Sequence, residues 1–297
     1  MSPRYSAFGV CLESELSFPE LPPTTDPPDV HVRFARVAPH LEQPRATGVL
    51  FEAAPGRFLL SIKGIARYEV RDGREVLVDR SANAIDSDVR GFLLSSAFGA
   101  LLHQRGTLPL HASAVATPAG AVLFAGHSGL GKSTVLGEFV RRGYRMVSDD
   151  ITGLTIDAAD APVVHAGVPQ MRMWGDTAGR LNYLVDRLQR VRPNLRKYVV
   201  PALSGFAAEA QPLAAIYILH RDNGATVRLQ PYRGGSRASV ISEHTFGRRF
   251  VAGLGMESRH FGLVSALANR VPVVAVHRPR APFLLDELAD RIIHDLG

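Results

Sequence analysis

Alternation of apolar and polar positions governs the first eighty residues. Residues 31–37 alternate and predict a short strand, and further strands are expected at 48–52, 57–62 and 66–70. The last runs through Arg71-Asp72-Gly73 into 75–78, and Asp-Gly between two alternating runs is a hairpin signal. The rest of residues 1–47 looks loosely organised, with proline pairs at Pro22-Pro23 and Pro27-Pro28. Residues 86–102 switch to helical spacing, with Phe92, Leu93, Phe98, Leu101 and Leu102 sharing one broad face. These elements predict a small, mainly β N-terminal module over residues 1–105, closed by a helix.

The texture changes after Gly106. Residues 110–116 read as a strand, Pro118-Ala119-Gly120 as a turn, and 121–125 as a wholly apolar strand of the buried kind. A glycine-rich turn opens at Gly126, and 133–141 reads as a helix that Gly143 can cap. Residues 144–147 form the next expected strand. Beyond it, 181–191, 237–246, 260–268 and 283–294 have helical spacing. Residues 214–219 and 226–230 read as strands joined by the turn Arg221-Asp222-Asn223-Gly224, and 273–276 as one more. Strands mixed with helices predict an α/β domain over residues 106–297.

Composition narrows the class. The 297 residues carry a net charge of +6, with 46% apolar and 21% charged residues, which excludes a disordered chain. The single cysteine, Cys11, cannot form an internal disulfide. The first residues do not read as a secretory signal, and no apolar run is long enough to span a membrane, so a cytoplasmic protein without membrane contact is expected. Arginine pairs at Arg141-Arg142 and Arg248-Arg249 and the stretch 190–197 suit phosphates or an acidic peptide, or simply solvate a surface. No zinc-ligand spacing or aromatic-basic segment occurs, so neither structural zinc nor nucleic acid is expected.

The sharpest chemical signal is Gly126-His127-Ser128-Gly129-Leu130-Gly131-Lys132-Ser133, a complete G-x-x-x-x-G-K-[ST] pattern between a buried strand and a helix. Glycines let the backbone curl its N–H groups around phosphate oxygens, and the following helix adds its positive end. On this reading residues 126–134, ending at Thr134, hold ATP, with Lys132 at the β- and γ-phosphates and Ser133 on Mg2+. Such a loop also needs an acidic metal partner. The strand ending in Ser148-Asp149-Asp150 supplies two carboxylates, one for the metal and one to accept a proton, with the roles interchangeable at this stage. The alternative is a turn or helix cap, both favoured by Asp.

Taken together, residues 121–133 and Arg142-Gly143-Tyr144-Arg145-Met146-Val147-Ser148-Asp149-Asp150 resemble the catalytic core of the HPr kinase/phosphorylase family. The resemblance implies a fold related to the phosphoenolpyruvate carboxykinase catalytic domain and Mg-ATP-dependent phosphorylation of a serine hydroxyl. It puts Lys132 and Ser133 on the phosphate and metal positions, Asp149 and Asp150 on the acidic pair, and His111 on an active-site histidine. Two departures separate the chain from the classical enzyme: His127 stands where aspartate is usual, and Pro169-Gln170-Met171-Arg172-Met173-Trp174 replaces a glutamate-arginine-glycine stretch. The texture from Tyr5 to Leu21, the Pro169–Trp174 segment and Leu284-Leu285-Asp286-Glu287-Leu288 are similar to HPr-kinase-related proteins of ribosomal peptide biosynthesis, including lasso peptide kinases. That likeness implies a precursor peptide with an acceptor serine at its C-terminus. Classical relatives form hexamers, so the resemblance also admits a homo-oligomer.

Other readings remain open at this level. The acceptor can instead be a small carrier protein or a free hydroxyl metabolite, and the chain can be a nucleotide-sensing module or a simple ATP hydrolase. His111 can be a satisfied core histidine. Arg172 can stabilise the transferring phosphoryl group or lie on the surface beside Met171, Met173 and Trp174, with Trp174 read as packing. Lys197 is a further candidate anion contact.

Overall fold

The computed structural model describes residues 2–191, 195–281 and 284–297. Part of the basic stretch 190–197 and the start of the expected last helix, Phe283, lie outside the described residues. The chain forms two compact units. One comprises Met1–Pro109 with Thr245–Leu263, the other Leu110–His244 with Val264–Gly297.

The first unit is built on an eight-stranded sheet of β1 (Arg4–Ala7), β2 (Val10–Ser14), β3 (Val30–Phe34), β4 (Ala46–Thr47), β5 (Phe51–Ala54), β6 (Arg57–Ile62), β7 (Ala66–Arg71) and β8 (Glu75–Arg80), in the order β1-β2-β3-β8-β7-β6-β5-β4. The segment expected to be loose contains the β1–β2 hairpin. Its turn carries no Asn-Gly or Asp-Gly signal: Phe8 itself takes a left-handed backbone (φ 55°), and its buried ring packs 5.8 Å from that of Phe98. The strand expected at 48–52 is split instead. Gly48 N–H donates to the Phe51 carbonyl (2.8 Å), which makes a turn that leaves Val49 fully exposed. The β7–β8 hairpin turns at Asp72 and Gly73, both left-handed, as the Asp-Gly signal requires.

The helical run from Asp86 to Gln104 is continuous but widens into a π-helical turn at Leu93–Ala97, where the Ser95 hydroxyl donates to the Gly91 carbonyl (2.7 Å). Residues 245–263 return to this unit because they complete its core. Phe250, on the helix Arg248–Leu254, lies 4.8 Å from the Phe51 ring and 4.6 Å from that of Phe58. Nothing in the apolar periodicity before residue 105 signals this return, so the units do not coincide with the expected ranges 1–105 and 106–297.

His103 gives this unit a pH dependence. Its ring is buried, Nε2–H donates to the Phe246 carbonyl (2.8 Å), and desolvation pushes its pKa from 6.5 down to about 4. The unfolded chain therefore takes up the proton first. The contribution is fully present above pH 6.5 and is lost as pH falls through about 4, amounting to about 3 kcal/mol. Urea melts from pH 7 to pH 4 should show this loss, and His103→Gln should flatten it. An equally steep loss in H103Q would refute the assignment.

The second unit carries a nine-stranded sheet made of β9 (Leu108–Leu110), whose last residue begins the unit, β10 (Ala112–Thr117), β11 (Gly120–Ala125), β12 (Arg145–Ser148), β13 (Thr152–Ile156), β14 (Pro162–His165), β18 (Gln211–Asp222), β19 (Arg228–Pro231) and β20 (Val273–Pro279). A separate three-stranded sheet joins β15 (Gln170–Trp174), β16 (Gln189–Arg190) and β17 (Lys197–Pro201) in the order β15-β17-β16. β11 and β20 both run parallel to β18. The expected β18–β19 hairpin does not form: β20 lies between them. β18 and β20 are apolar almost throughout and share the centre, whereas Arg228, Gln230 and Pro231 suit β19 to an edge.

The expected strand 110–116 breaks at His111, which stands between β9 and β10 and donates its backbone N–H to the His244 carbonyl (2.8 Å). The helix expected over 181–191 is absent. The short helix Gly175–Arg180 ends there instead, because Asn182 takes a left-handed backbone (φ 64°). The helix Lys132–Arg141 buries Val135, Leu136 and Phe139 against the sheet, with Phe139 5.1 Å from Phe124. Its buried Glu138 accepts from Arg141 and Arg142, which hold its carboxyl below the usual range, and the two arginines reach Asp286 and Asp290 on the helix Leu285–Leu296. These ion pairs fix the helix that carries the glycine-rich loop.

Candidate functional site

The loop 126–131 leaves the buried strand β11 and enters the helix at Lys132. Gly126 (φ 146°) and Gly131 (φ 95°) need the freedom that only glycine has. A Cβ on Gly131 would also lie 3.1 Å from an Arg278 Nη2, so the loop is tight as well as curled. Lys132 is almost wholly buried. Its ammonium lies back along the loop, donating to the carbonyls of Gly126 (2.8 Å) and His127 (3.3 Å). Burial lowers its pKa, opposed by the charges of Asp150 and Asp149. A cation lying inside a curled loop at a helix N-terminus makes an anion site of the type phosphates occupy.

The two adjacent aspartates face different surroundings. Asp149 is buried at the end of β12, and its Oδ1 accepts from the hydroxyls of Ser113 (2.6 Å) and Ser133 (2.9 Å), while Oδ2 accepts from the Arg172 backbone N–H (2.9 Å). Desolvation raises its pKa despite these three donors. Asp150 has a left-handed backbone (φ 71°), which turns its carboxylate toward the cleft, where the side chain is 30% exposed. One Oδ2 lies 3.6 Å from Arg172 Nη1. His111 donates Nδ1–H to the Asp150 carbonyl (2.9 Å), with Oδ1 of the same residue 3.4 Å away. Burial pushes the His111 pKa down, with Lys132 adding to the effect and the two aspartates opposing it.

These groups surround one cleft of about 570 Å3, on whose wall lie Ser128, Gly129, Gly131, Lys132, Ser133 and Thr134 of the loop region, with Asp149, Asp150, His111 and Arg172. Three other loop residues lie off the wall: Gly126, Leu130 and His127. The His127 imidazole instead turns to Glu243 (Nε2 to Oε1 3.0 Å) and stands edge-on to His244, 5.2 Å between rings. Lys197 and Trp174, paired across the β15–β17 ladder, also line the cleft, and Trp174 is 49% exposed. Of the two packing places expected for the tryptophan, core or interface, its exposure rules out the core. It ends an edge strand whose buried face is taken by Met171 and Met173.

Sequence reasoning missed four arginines of the cleft, Arg180, Arg221, Arg278 and Arg280. Arg221 and Arg278 are register partners near the ends of the parallel strands β18 and β20, and they donate to the loop carbonyls of Gly129 (2.6 Å) and Leu130 (2.8 Å). Burial, with Arg221 nearby, lowers the Arg278 pKa to about 10. Arg280 lines the cleft beyond them. A signal was present: both Arg221 and Arg278 come two residues after the apolar stretch of a central strand, at the carboxyl end where open α/β sheets place their sites. Among the described residues, seven Lys or Arg side chains and three aspartates line the cleft, so it favours a polyanion.

The oxygen donors beside the loop are of the kind Mg2+ takes. Ser133 Oγ and Asp149 Oδ1 are hard oxygen donors in contact, with a second carboxylate on the next residue, and Mg2+ takes its remaining ligands from phosphate and water. The residues fit. No cluster of three or more His, Cys, Asp or Glu side chains suited to a metal occurs among the described residues.

No protein-family model and no curated protein matches the sequence. Among solved structures the chain is similar to the HPr(Ser) kinase/phosphatase from Coxiella burnetii, at 11% identity and a TM-score of 0.37, covering 63% of this chain and 89% of that one. What the cleft can do follows from its own residues. Among the described residues no helix is long and apolar enough to cross a membrane.

Proposed function

We propose that the second unit is a Mg-ATP-dependent kinase that phosphorylates a serine hydroxyl. The observation that carries this reading is the hydrogen bond between Ser133 and Asp149 directly behind the glycine-rich loop, with Asp150 turned out beside it. Two hard oxygen donors and a second, cleft-facing carboxylate on the wall of one cleft support it. Lys132 and the loop N–H groups bind the β- and γ-phosphates, and Ser133 with Asp149 holds Mg2+, which neutralises charge on the phosphates when bound.

The different surroundings divide the acidic roles. Asp149 accepts three hydrogen bonds and has little access to an acceptor, so it serves the metal. Asp150 faces the cleft and takes the acceptor proton as the hydroxyl oxygen bonds to the γ-phosphorus and the bond to the bridging oxygen of ADP breaks. Arg172 steadies Asp150 and lies where it can also meet charge on the transferring group. His111 holds the left-handed turn at Asp150 through its carbonyl. The acceptor class rests on the sequence resemblance to lasso precursor kinases and on the basic cleft, which suits a peptide ending in serine with its terminal carboxylate.

The test is transfer from Mg-ATP, read by intact mass and fragmentation. The acceptors are a lasso-type precursor ending in serine, its serine-to-alanine form, an HPr-type carrier and free serine. A gain of about 80 Da on the terminal serine alone is the expected result. Transfer to the carrier or free serine instead would keep the kinase and replace the acceptor. ATP consumption with no phosphorylated acceptor would leave a hydrolase.

A further inference from the structure

A second cavity, of about 310 Å3, lies beside the cleft, and Thr134, Thr177 and Arg180 line both. Its size falls at the lower end for small-molecule pockets, roughly 300 Å3 upward. Thr134 follows Ser133 on the first turn of the helix Lys132–Arg141. Thr134 lies on the wall of both cavities, so a phosphate chain seated on the loop can continue past that turn into the second.

Glu138, Arg141 and Asp286, already paired through Arg141, also line the cavity, and the surface beside them suits a flat heterocycle joined to a sugar. Leu181 and Leu285 provide apolar surface, and Asn182 presents an amide that donates and accepts, the pairing needed at the edge of a base. The left-handed backbone of Asn182, the residue that ends the helical turn, sets where that amide stands. Thr177 adds a hydroxyl on the wall shared with the cleft.

We propose that this cavity binds the base and ribose of the nucleoside triphosphate whose phosphates lie on the 126–134 loop. The proposal rests on the reading of that loop as a nucleotide site. Calorimetry on the full chain with Mg2+ compares ATP with inorganic tripolyphosphate, which can occupy only the loop. ATP should bind at least about tenfold more tightly. Asn182→Gly, which keeps the left-handed backbone, and Thr177→Val should each weaken ATP about three- to tenfold while tripolyphosphate is unchanged, the size of one lost hydrogen bond. Unchanged tripolyphosphate binding also certifies that each variant is folded. Equal binding of ATP and tripolyphosphate, or unchanged ATP binding in both variants, would overturn the cavity assignment and leave the loop. Failure of both compounds to bind would overturn the loop reading and the cavity with it.

Discussion

Asp150→Asn should remove the proposed phosphoryl transfer, by about 10²- to 10⁴-fold, and leave Mg-ATP affinity within a few-fold of the wild type. The substitution keeps the size of the side chain and, at φ 71°, puts in place the residue type that best tolerates a left-handed backbone after glycine. The Arg172 contact loses its charge, but the hydrogen bond from His111 to the residue 150 carbonyl is untouched. What disappears is the group that accepts the proton. Asp149→Asn gives the complementary pattern: the amide cannot replace a carboxylate that takes the hydroxyls of Ser133 and Ser113, and the Mg2+ requirement rises steeply. Single-turnover transfer with titrated Mg2+ separates the two. Full transfer in D150N would remove Asp150 as the base.

Lys132→Met is the second change of large effect. The methionine approximates the lysine stem, so packing is nearly kept, while the ammonium that contacts two loop carbonyls is lost. Transfer should fall by about 10³-fold, in the range seen when one preorganised stabilising donor is deleted from a reacting centre. The ground state should weaken too, since the same charge binds the phosphates before transfer. Removing a positive neighbour should also bring the His111 pKa back up, because Lys132 contributes to its depression. An NMR titration of the His111 ring reads this shift independently of activity. Unaltered transfer in K132M would refute the proposed phosphate site.

Much of this site was legible before any coordinates. The loop, Lys132, Ser133 and the aspartate pair announce themselves because backbone curl and metal chemistry restrict which residues can stand there. The structure adds what spacing cannot contain. Asp149 and Asp150 are interchangeable on paper, and only the left-handed turn at Asp150 parts the buried carboxylate from the exposed one. Arg221 and Arg278 reach the loop from strands about ninety to one hundred and fifty residues further on, a convergence fixed by the parallel pairing of β18 with β11 and β20. The fold errors have local causes. Phe8 stands left-handed beside Gly9 in a turn that lacks an Asn-Gly or Asp-Gly pair, Asn182 stops a helix whose apolar spacing continues, and β20 displaces β19 because burial outweighs nearness in sequence.

The return of Thr245–Leu263 to the first unit has a consequence for synthesis. A ribosome that has finished residue 109 has not yet made Phe250, the ring set between Phe51 and Phe58. The first unit therefore waits, with that apolar surface uncovered, while most of the second is translated, and the second in turn lacks β20 until the chain has passed residue 279. Neither unit can be finished before the other is well begun, so nascent chains should gain protease resistance in one late step rather than two.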